Sequence, residues 1–567
     1  MTVTQDAPAA APATPEQPPA PGPMAPGLAS ILGSGDHKVV GRLWLVASLV
    51  HLVLAGAAAL WVAALRVDSE KLATDAPDLF AQAFAFRSIG GAFLFLLPLT
   101  IGIATLVVPL QVGASTVAFP RAAAAAAWTY LLGGGLLIGA YAIDGGPYGD
   151  DTDGVRLFIA AFLLVIVALT VAWICIGTTV IALRAGGMSL KRVPLFAWSS
   201  LVAAGVWVVT LPVLGAMVLI AYIDIRYGGA NGFISGGAAA TLYGRIAWMF
   251  SQPAVYAFAI PVLGFIGSVV PVFSDTRHHL HRVAMGLIGA FAALSAGAWT
   301  VPAFGPEPTP WLYELPWVAV SIAILIPLLG LFGLWALTAR QGQPRLASPL
   351  LFGVAAGLML LVGVLAGAVQ AIEPIKTLVD GDGTSLYGTS VTTAVASYVV
   401  LAAAIAAFGG IVFWAPKIVG RQLPEAGARV VALLLLAGTV LWSFPDIVSG
   451  LLGQPGVPGV VASDNVDTIE KLNAVSASGG AVLALAMAAF VTLLIRATRS
   501  SELPGDDPWS GHTLEWATSS PPPVGNFASL PAITSEAPLY DARHQSGAVG
   551  GRSEATPADA SSRETSA

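Results

Sequence analysis

Seven histidines, a single cysteine and a few charged groups in apolar surroundings are the side chains here that could do chemistry. The histidines are His37, His51, His278, His279, His281, His512 and His544. Neutral imidazole ligates iron, copper and zinc, so their grouping decides whether a metal centre can form. Only His51 falls within a long apolar run, and a lone imidazole there reads as a packed, hydrogen-bonded histidine. The run Arg277-His278-His279-Leu280-His281-Arg282 reads as a cationic interfacial loop rather than a metal site. Cys175 is a small apolar filler, and one cysteine excludes intrachain disulfides, cysteine zinc sites and iron–sulfur clusters. Arg87 and Asp446 lie inside or at the end of apolar runs, where an ionised group is costly and marks a functional or structural point. Their shared depth and opposite charge give an expected Arg87–Asp446 ion pair. The alternative is that each snorkels separately to the interface.

The elements that must position these groups are membrane helices. Of the 567 residues 56% are hydrophobic and 10% charged, with a mean hydropathy of +0.78. Soluble domains carry about 25% charged residues, so an ordinary globular enzyme, a disordered chain and a nucleic-acid binder are excluded. The net charge of -6 also argues against a phosphate-binding surface. Apolar runs of bilayer length recur at 40–65, 85–109, 123–143, 156–184, 195–223, 246–273, 283–304, 314–338, 348–372, 390–415, 428–453 and 476–496. The expected fold class is therefore all-α integral membrane, with about twelve transmembrane helices.

Lysine and arginine alternate in density between connections. Lys38, Arg42, Arg121, Arg184, Lys191, Arg192, Arg277, Arg340, Lys417 and Arg499 fall on one side. The other side holds Arg66 and Arg156 with many carboxylates, among them Asp68, Asp150, Asp151 and Asp467. The positive-inside bias puts the basic side and both termini in the cytoplasm. Residues 1–35 read as a disordered Ala/Pro-rich tail, 36–499 as the membrane domain, and 500–567 as a second tail. In that second tail a segment at about 506–530 carries Trp and Phe that could dock, and the remainder reads as disordered.

Several strings resemble subunit I of the haem–copper (cytochrome c) oxidases. They are Asp36-His37-Lys38, Val108-Pro109-Leu110-Gln111-Val112-Gly113-Ala114 with Ala118-Phe119-Pro120-Arg121, and Gln252-Pro253-Ala254-Val255-Tyr256. Phe444-Pro445, Gly453-Gln454-Pro455 and the tail DPWSGHTLEWATSSPPPVGNF complete the set, in family order. The resemblance implies a twelve-helix bundle in three pseudo-symmetric arcs. It also implies two haems and a copper ion on six histidines, and subunit II-like and III-like partners.

The six ligand positions are filled otherwise. The low-spin haem ligand on the family's helix two falls at Arg87, whose guanidinium stays protonated. The copper histidine of helix six falls at Gln252, and the relay glutamate beside it at Ala254. The tyrosine of that motif is retained as Tyr256. The His-His pair of helix seven falls at Val301 and Pro302. The two histidines of helix ten fall at Ala394 and Ala396, or in the alternative register at Val395 and Ser397. Propionate-holding arginines fall at Gly456 and Val457, and the proton-path lysine and aspartate at Leu331 and Thr116. The expectation is a degenerate member of the family with no cofactor and no catalytic residue of its own, in which Tyr256 packs and an Arg87–Asp446 pair closes part of a vacated pocket. Its expected role is scaffold, assembly or regulatory subunit of a respiratory-type membrane complex, with the lipid bilayer and other membrane subunits as partners and no nucleic acid. The competing readings are a working terminal oxidase subunit with atypical ligands and small-molecule or lipid binding or transport through the vacated cofactor cavity.

Overall fold

Twelve helices long and apolar enough to cross a membrane follow one another along the chain. The computed structural model describes residues 33–68, 77–228, 237–298, 311–372, 386–456, 465–501 and 503–550. The helices are α1 (His37–Leu65), α2 (Leu79–Val112), α3 (Pro120–Ala142), α4 (Thr152–Ala182), α5 (Leu195–Tyr227), α6 (Met249–Ser274), α7 (His281–Ala298), α8 (Leu315–Gln341), α9 (Ser348–Gln370), α10 (Ser390–Val419), α11 (Glu425–Leu451) and α12 (Val466–Arg499). The only extended pairing among the described residues is the isolated bridge Thr389–Pro455. Met1–Ser34 is a unit apart from Gly35–Ala567, and the expected disordered stretch lies outside the described residues as far as residue 32.

Side-chain chemistry sorts the helices into centre and rim. Within an apolar 18-residue stretch of each helix, 94% of α2 and 78% of α10 is buried, against 22% of α5 and 28% of α12. Rim helices present apolar residues outward, such as Val46, Val50 and Val53 on α1 and Ile326 and Leu329 on α8. These side chains face lipid, where exposure of apolar groups costs nothing.

Small residues permit the tightest crossings. A Cβ on Gly479 of α12 would lie 2.4 Å from the backbone nitrogen of Trp442 and 2.5 Å from the Leu441 carbonyl carbon of α11. Backbone atoms cannot rotate away. Gly479→Val is therefore expected to destabilise the protein by about 3 kcal/mol or more through overpacking. A melting curve of the detergent-solubilised chain checks this, and an unchanged midpoint would contradict it.

α2 is not a plain helix. Residues Gly90–Leu96 form a π-helical turn, and Pro98 lies just beyond it. Proline lacks the N–H that would bond the carbonyl four residues back, which belongs to Leu94. The Tyr130 hydroxyl of α3 donates to that carbonyl at 2.5 Å, so the orphaned acceptor is satisfied from a neighbouring helix.

Residues 503–550 fold back over the end of the bundle at which α1 begins, called here the tail face. The Trp509 indole donates to the Phe413 carbonyl at 2.9 Å. Lys417 is 2% exposed and donates to the carbonyls of Thr518 and Asp506 at 2.5 and 2.9 Å. Lys38 reaches Asn526 Oδ1 at 3.2 Å, and Asn526 Nδ2 donates to the Ala114 carbonyl at 2.7 Å. Glu515 is fully buried; its Oε1 accepts from Gln111 Nε2 at 2.9 Å and Trp414 Nε1 at 3.3 Å, and burial pushes its carboxyl up from the usual range.

One expectation for this tail needs correction. The stretch beyond residue 530 reads as disordered by composition, yet 531–550 is described and contains α13 (Pro538–Gly550). It is held by an Arg277–Asp541 ion pair, by Arg543–Asp507 at 3.2 Å, and by Tyr540 packed between His512 and His544. Residues 551–567 lie outside the described residues.

The tail carries a pH dependence with a defined sign. Burial, then the Arg543 guanidinium, pushes His512 down to about 3, so it is neutral in the folded state. An unfolded histidine titrates near 6.5. Docking is therefore at full strength above about pH 6.5 and weakens as pH falls toward the folded value. At pH 5 the loss from His512, lowered to about 3, amounts to about 2 kcal/mol. Limited proteolysis of the tail should accelerate from pH 7.5 to pH 5 in the native chain and much less in His512→Asn. Equal acceleration in both would contradict this assignment.

Candidate functional site

The charged groups of the apolar region meet at the end of the bundle opposite the tail face. Arg66 caps the C-terminus of α1, and Asp446 follows Pro445 on α11. The two form a bidentate pair, with Nη2 3.1 Å from Oδ1 and Nη1 3.3 Å from Oδ2. The side chains are 13% and 6% exposed. Asn473 of α12 donates to the Arg66 carbonyl at 2.8 Å, and Gln454 donates to Asn473 Oδ1 at 3.1 Å. Ser390, at the start of α10, donates to the Asp446 carbonyl at 2.7 Å. One network thus ties α1, α10, α11 and α12 together at this face.

The expected partner of Asp446 was Arg87, and the structure gives the carboxylate to Arg66 instead. Both carboxylate oxygens are engaged by the planar guanidinium fork of Arg66, a geometry one arginine fills by itself. Arg87 lies with its Cζ 4.6 Å above the Phe84 ring, close enough to Arg66 and Asp446 to interact with both electrostatically. The sequence signal for the true pair was weak, because Arg66 sits just past a helix end and reads as a loop cation.

The other positions singled out by sequence are scattered. Tyr256 is fully buried on α6, edge-on to Phe291 at 6.0 Å, with its hydroxyl against Gly367. Gln252 lies in the helix Gly237–Ala257, and its side chain is outside the described residues. Val301 and Pro302 are also outside them. On α10, Ala394 is fully buried and Ala396 packs against the core, while the Ser397 hydroxyl donates to the Thr393 carbonyl at 2.8 Å. Leu331 is fully buried. Cys175 is free and buried.

All seven histidines are described. His37, His278, His279 and His281 gather at the tail-face ends of helices, and His512 and His544 lie in the C-terminal tail. Only His51 lies well inside a span. Its Nδ1 is 2.9 Å from the Tyr130 hydroxyl. That hydroxyl gives its proton to Leu94, so Nδ1 is the donor in the first bond. His51 is thus the inner end of the Pro98–Leu94–Tyr130 repair described above.

A small apolar void of about 20 Å3 lies between Thr100, Ile103, Phe196, Phe258, Phe265 and Trp414. This is room for about one water molecule, far below the volume of a small-molecule site. Its polar groups are committed: the Thr100 hydroxyl bonds the Leu96 carbonyl and the Trp414 indole bonds Glu515.

Residues 39–482 match the family model described as cytochrome c and quinol oxidase polypeptide I. The chain belongs to that family. It is 31% identical to the putative cytochrome c oxidase subunit 1-beta of Streptomyces coelicolor, over 90% of this chain and 89% of that one. It is 28% identical to the cytochrome c oxidase subunit 1 of Thermostichus vulcanus, over 88% of this chain and 90% of that one. A haem–copper terminal oxidase solved as a dimer shares the fold, with a TM-score of 0.63 and 13% identity over 82% of this chain and 85% of that one. The chain is thus an integral membrane protein of the haem–copper oxidase subunit I type.

Membership corrects the expectation that no cofactor belongs here, because the family is one of haem–copper oxidases that carry haems and copper. Those groups are held by imidazole donors. At the positions that the resemblance singles out, Arg87 offers a cation and Ala394 and Ala396 offer methyl groups. Among the described residues no three His, Cys, Asp or Glu side chains are placed to hold a metal ion. The imidazoles among the described residues do not converge in the bundle core and so do not fit these groups.

Proposed function

We propose that this chain acts as a redox-inactive scaffold or assembly subunit of a respiratory-type membrane complex, built on the subunit I fold. The proposal concerns oxygen turnover and proton pumping, not cofactor content. The observation that carries it is the placement of the histidines: six of the seven sit at helix ends or in the tail, and His51, the one well inside a span, is bonded to Tyr130. Oxygen reduction in this fold needs several imidazoles converging in the bundle core. The printed names of the relatives describe subunits, which supports a multi-subunit setting, and their bacterial sources support a plasma membrane. The distribution of lysine and arginine supports a cytoplasmic tail face with both termini there.

The reading as a working oxidase subunit draws on the same relatives and is its direct competitor. The cavity-binding reading lacks support from the void near Trp414, whose polar lining is already bonded. Deleting the gene and isolating the native complex tests the scaffold role. The expected result is a complex that fails to assemble and is restored by the native chain and equally by Tyr256→Phe, which keeps the ring packing. Normal assembly without the chain, or loss of turnover in Tyr256→Phe with assembly intact, would overturn the proposal.

A further inference from the structure

Arg66, Arg87 and Asp446 come together at the face opposite the tail as two cations and one anion. Arg66 and Asp446 neutralise each other through two hydrogen bonds. Arg87 lies within electrostatic range of both, and among the described residues its only recorded contact is the Phe84 ring beneath it. A ring face offsets part of a cation's desolvation but accepts none of the five guanidinium N–H donors in a conventional hydrogen bond. Among the described residues, this set of two cations and one anion therefore leaves Arg87 without a carboxylate of its own and with donors to offer.

Its depth and surroundings indicate what supplies the acceptor. α2 runs for 34 residues, about 51 Å at 1.5 Å per residue, against a hydrocarbon core of about 30 Å. Arg87 is eight residues in from Leu79, about 12 Å from that end. A centred helix enters hydrocarbon after about 10 Å. The guanidinium thus stands near the boundary where headgroups meet acyl chains. The first part of α2 has one buried and one open side: Phe80, Gln82 and Ala85 are buried, Leu79 and Ser88 are exposed, and Arg87 is half-buried. Trp61, five residues before Arg66 on α1, is 50% exposed. Indole rings at this depth border lipid headgroups.

We propose that Arg87, with Arg66 beside it, forms an anion site that takes the phosphate of an anionic phospholipid headgroup, whose acyl chains lie on the exposed apolar surface near Leu79 and Trp61. The planar fork of Arg87 donates to two phosphate oxygens while its face stays on Phe84. Asp446 keeps Arg66 fixed, so the incoming phosphate meets one free positive charge and not two. The site does not depend on whether the chain turns over oxygen.

The test uses the full chain in neutral detergent, titrated with phosphatidylglycerol, phosphatidylcholine or inorganic phosphate while its melting midpoint is followed. Phosphatidylglycerol is expected to raise the midpoint of the native chain, with phosphatidylcholine and inorganic phosphate giving little. Arg87→Met is expected to need at least tenfold more phosphatidylglycerol for the same shift, and Arg87→Lys to lie between the two. Arg121→Gln, which removes an exposed cation at the tail face, should respond like the native chain. Should Arg87→Met fail to fold, the comparison of lipids on the native chain and on Arg87→Lys still decides. An unaltered response in Arg87→Lys and Arg87→Met would overturn the site. Equal protection by inorganic phosphate would overturn its assignment to a lipid headgroup.

Discussion

Asp446→Ala is expected to destabilise the protein by about 3–5 kcal/mol, the range for removing one partner of a buried ion pair. The substitution strips Arg66 of both hydrogen bonds at a site where its side chain is only 13% exposed. It also leaves Arg66 and Arg87 facing each other without a carboxylate. The loss should show as a lower melting midpoint of the detergent-solubilised chain. Asp446→Asn, which keeps one acceptor oxygen, should lose less. Replacing both partners together, as Arg66→Met with Asp446→Leu, should recover much of the stability, because an apolar pair of similar volume carries no desolvation penalty. If Asp446→Ala melts like the native chain, the pair contributes nothing and the network at this face has been misread.

Lys417→Ala is expected to release the C-terminal tail, with a loss of about 3–5 kcal/mol in docking. The ammonium group lies under residues 506–519 and donates to the carbonyls of Asp506, Thr518 and, at 3.4 Å, Ser519. Removing it leaves the buried Thr518 carbonyl without this donor and takes a nearby cation from Asp506, Glu515 and Asp507. Protease cleavage near residues 500–505 should then become fast while the membrane domain stays intact. Lys417→Arg should behave less severely, because the charge remains although the fork fits three converging carbonyls poorly. Unchanged cleavage in Lys417→Ala would mean that Trp509, Asn526 and the α13 ion pairs hold the tail without it.

The helices were legible in the sequence because hydrocarbon imposes length and composition on every span. Their ends were less so. The twelfth apolar run starts at 476, yet α12 begins at Val466. Asp467, Glu470 and Lys471 extend the helix past the apolar stretch, and hydropathy does not register that extension. The family resemblance was carried by turns and prolines that shape the backbone. The effect of Pro98 on Leu94, by contrast, needs Tyr130 from another helix to be visible. The partner of Asp446 was not legible, since depth along a helix cannot tell which of two nearby cations faces a carboxylate. The helix α13 was missed because its stretch is polar and Ser-rich in composition, while what holds it is a handful of contacts through Asp541, Arg543 and Tyr540 to distant residues.

The placement of the histidines carries the central claim, and oxygen uptake tests it most directly. The chain is purified in its native complex and supplied with reduced cytochrome c or quinol, with cyanide as the control. The account predicts no cyanide-sensitive oxygen consumption attributable to this chain, whatever haem the preparation contains. Cyanide-sensitive turnover that follows this chain through purification and disappears with it would contradict the account and establish a working oxidase subunit with an unfamiliar ligand set.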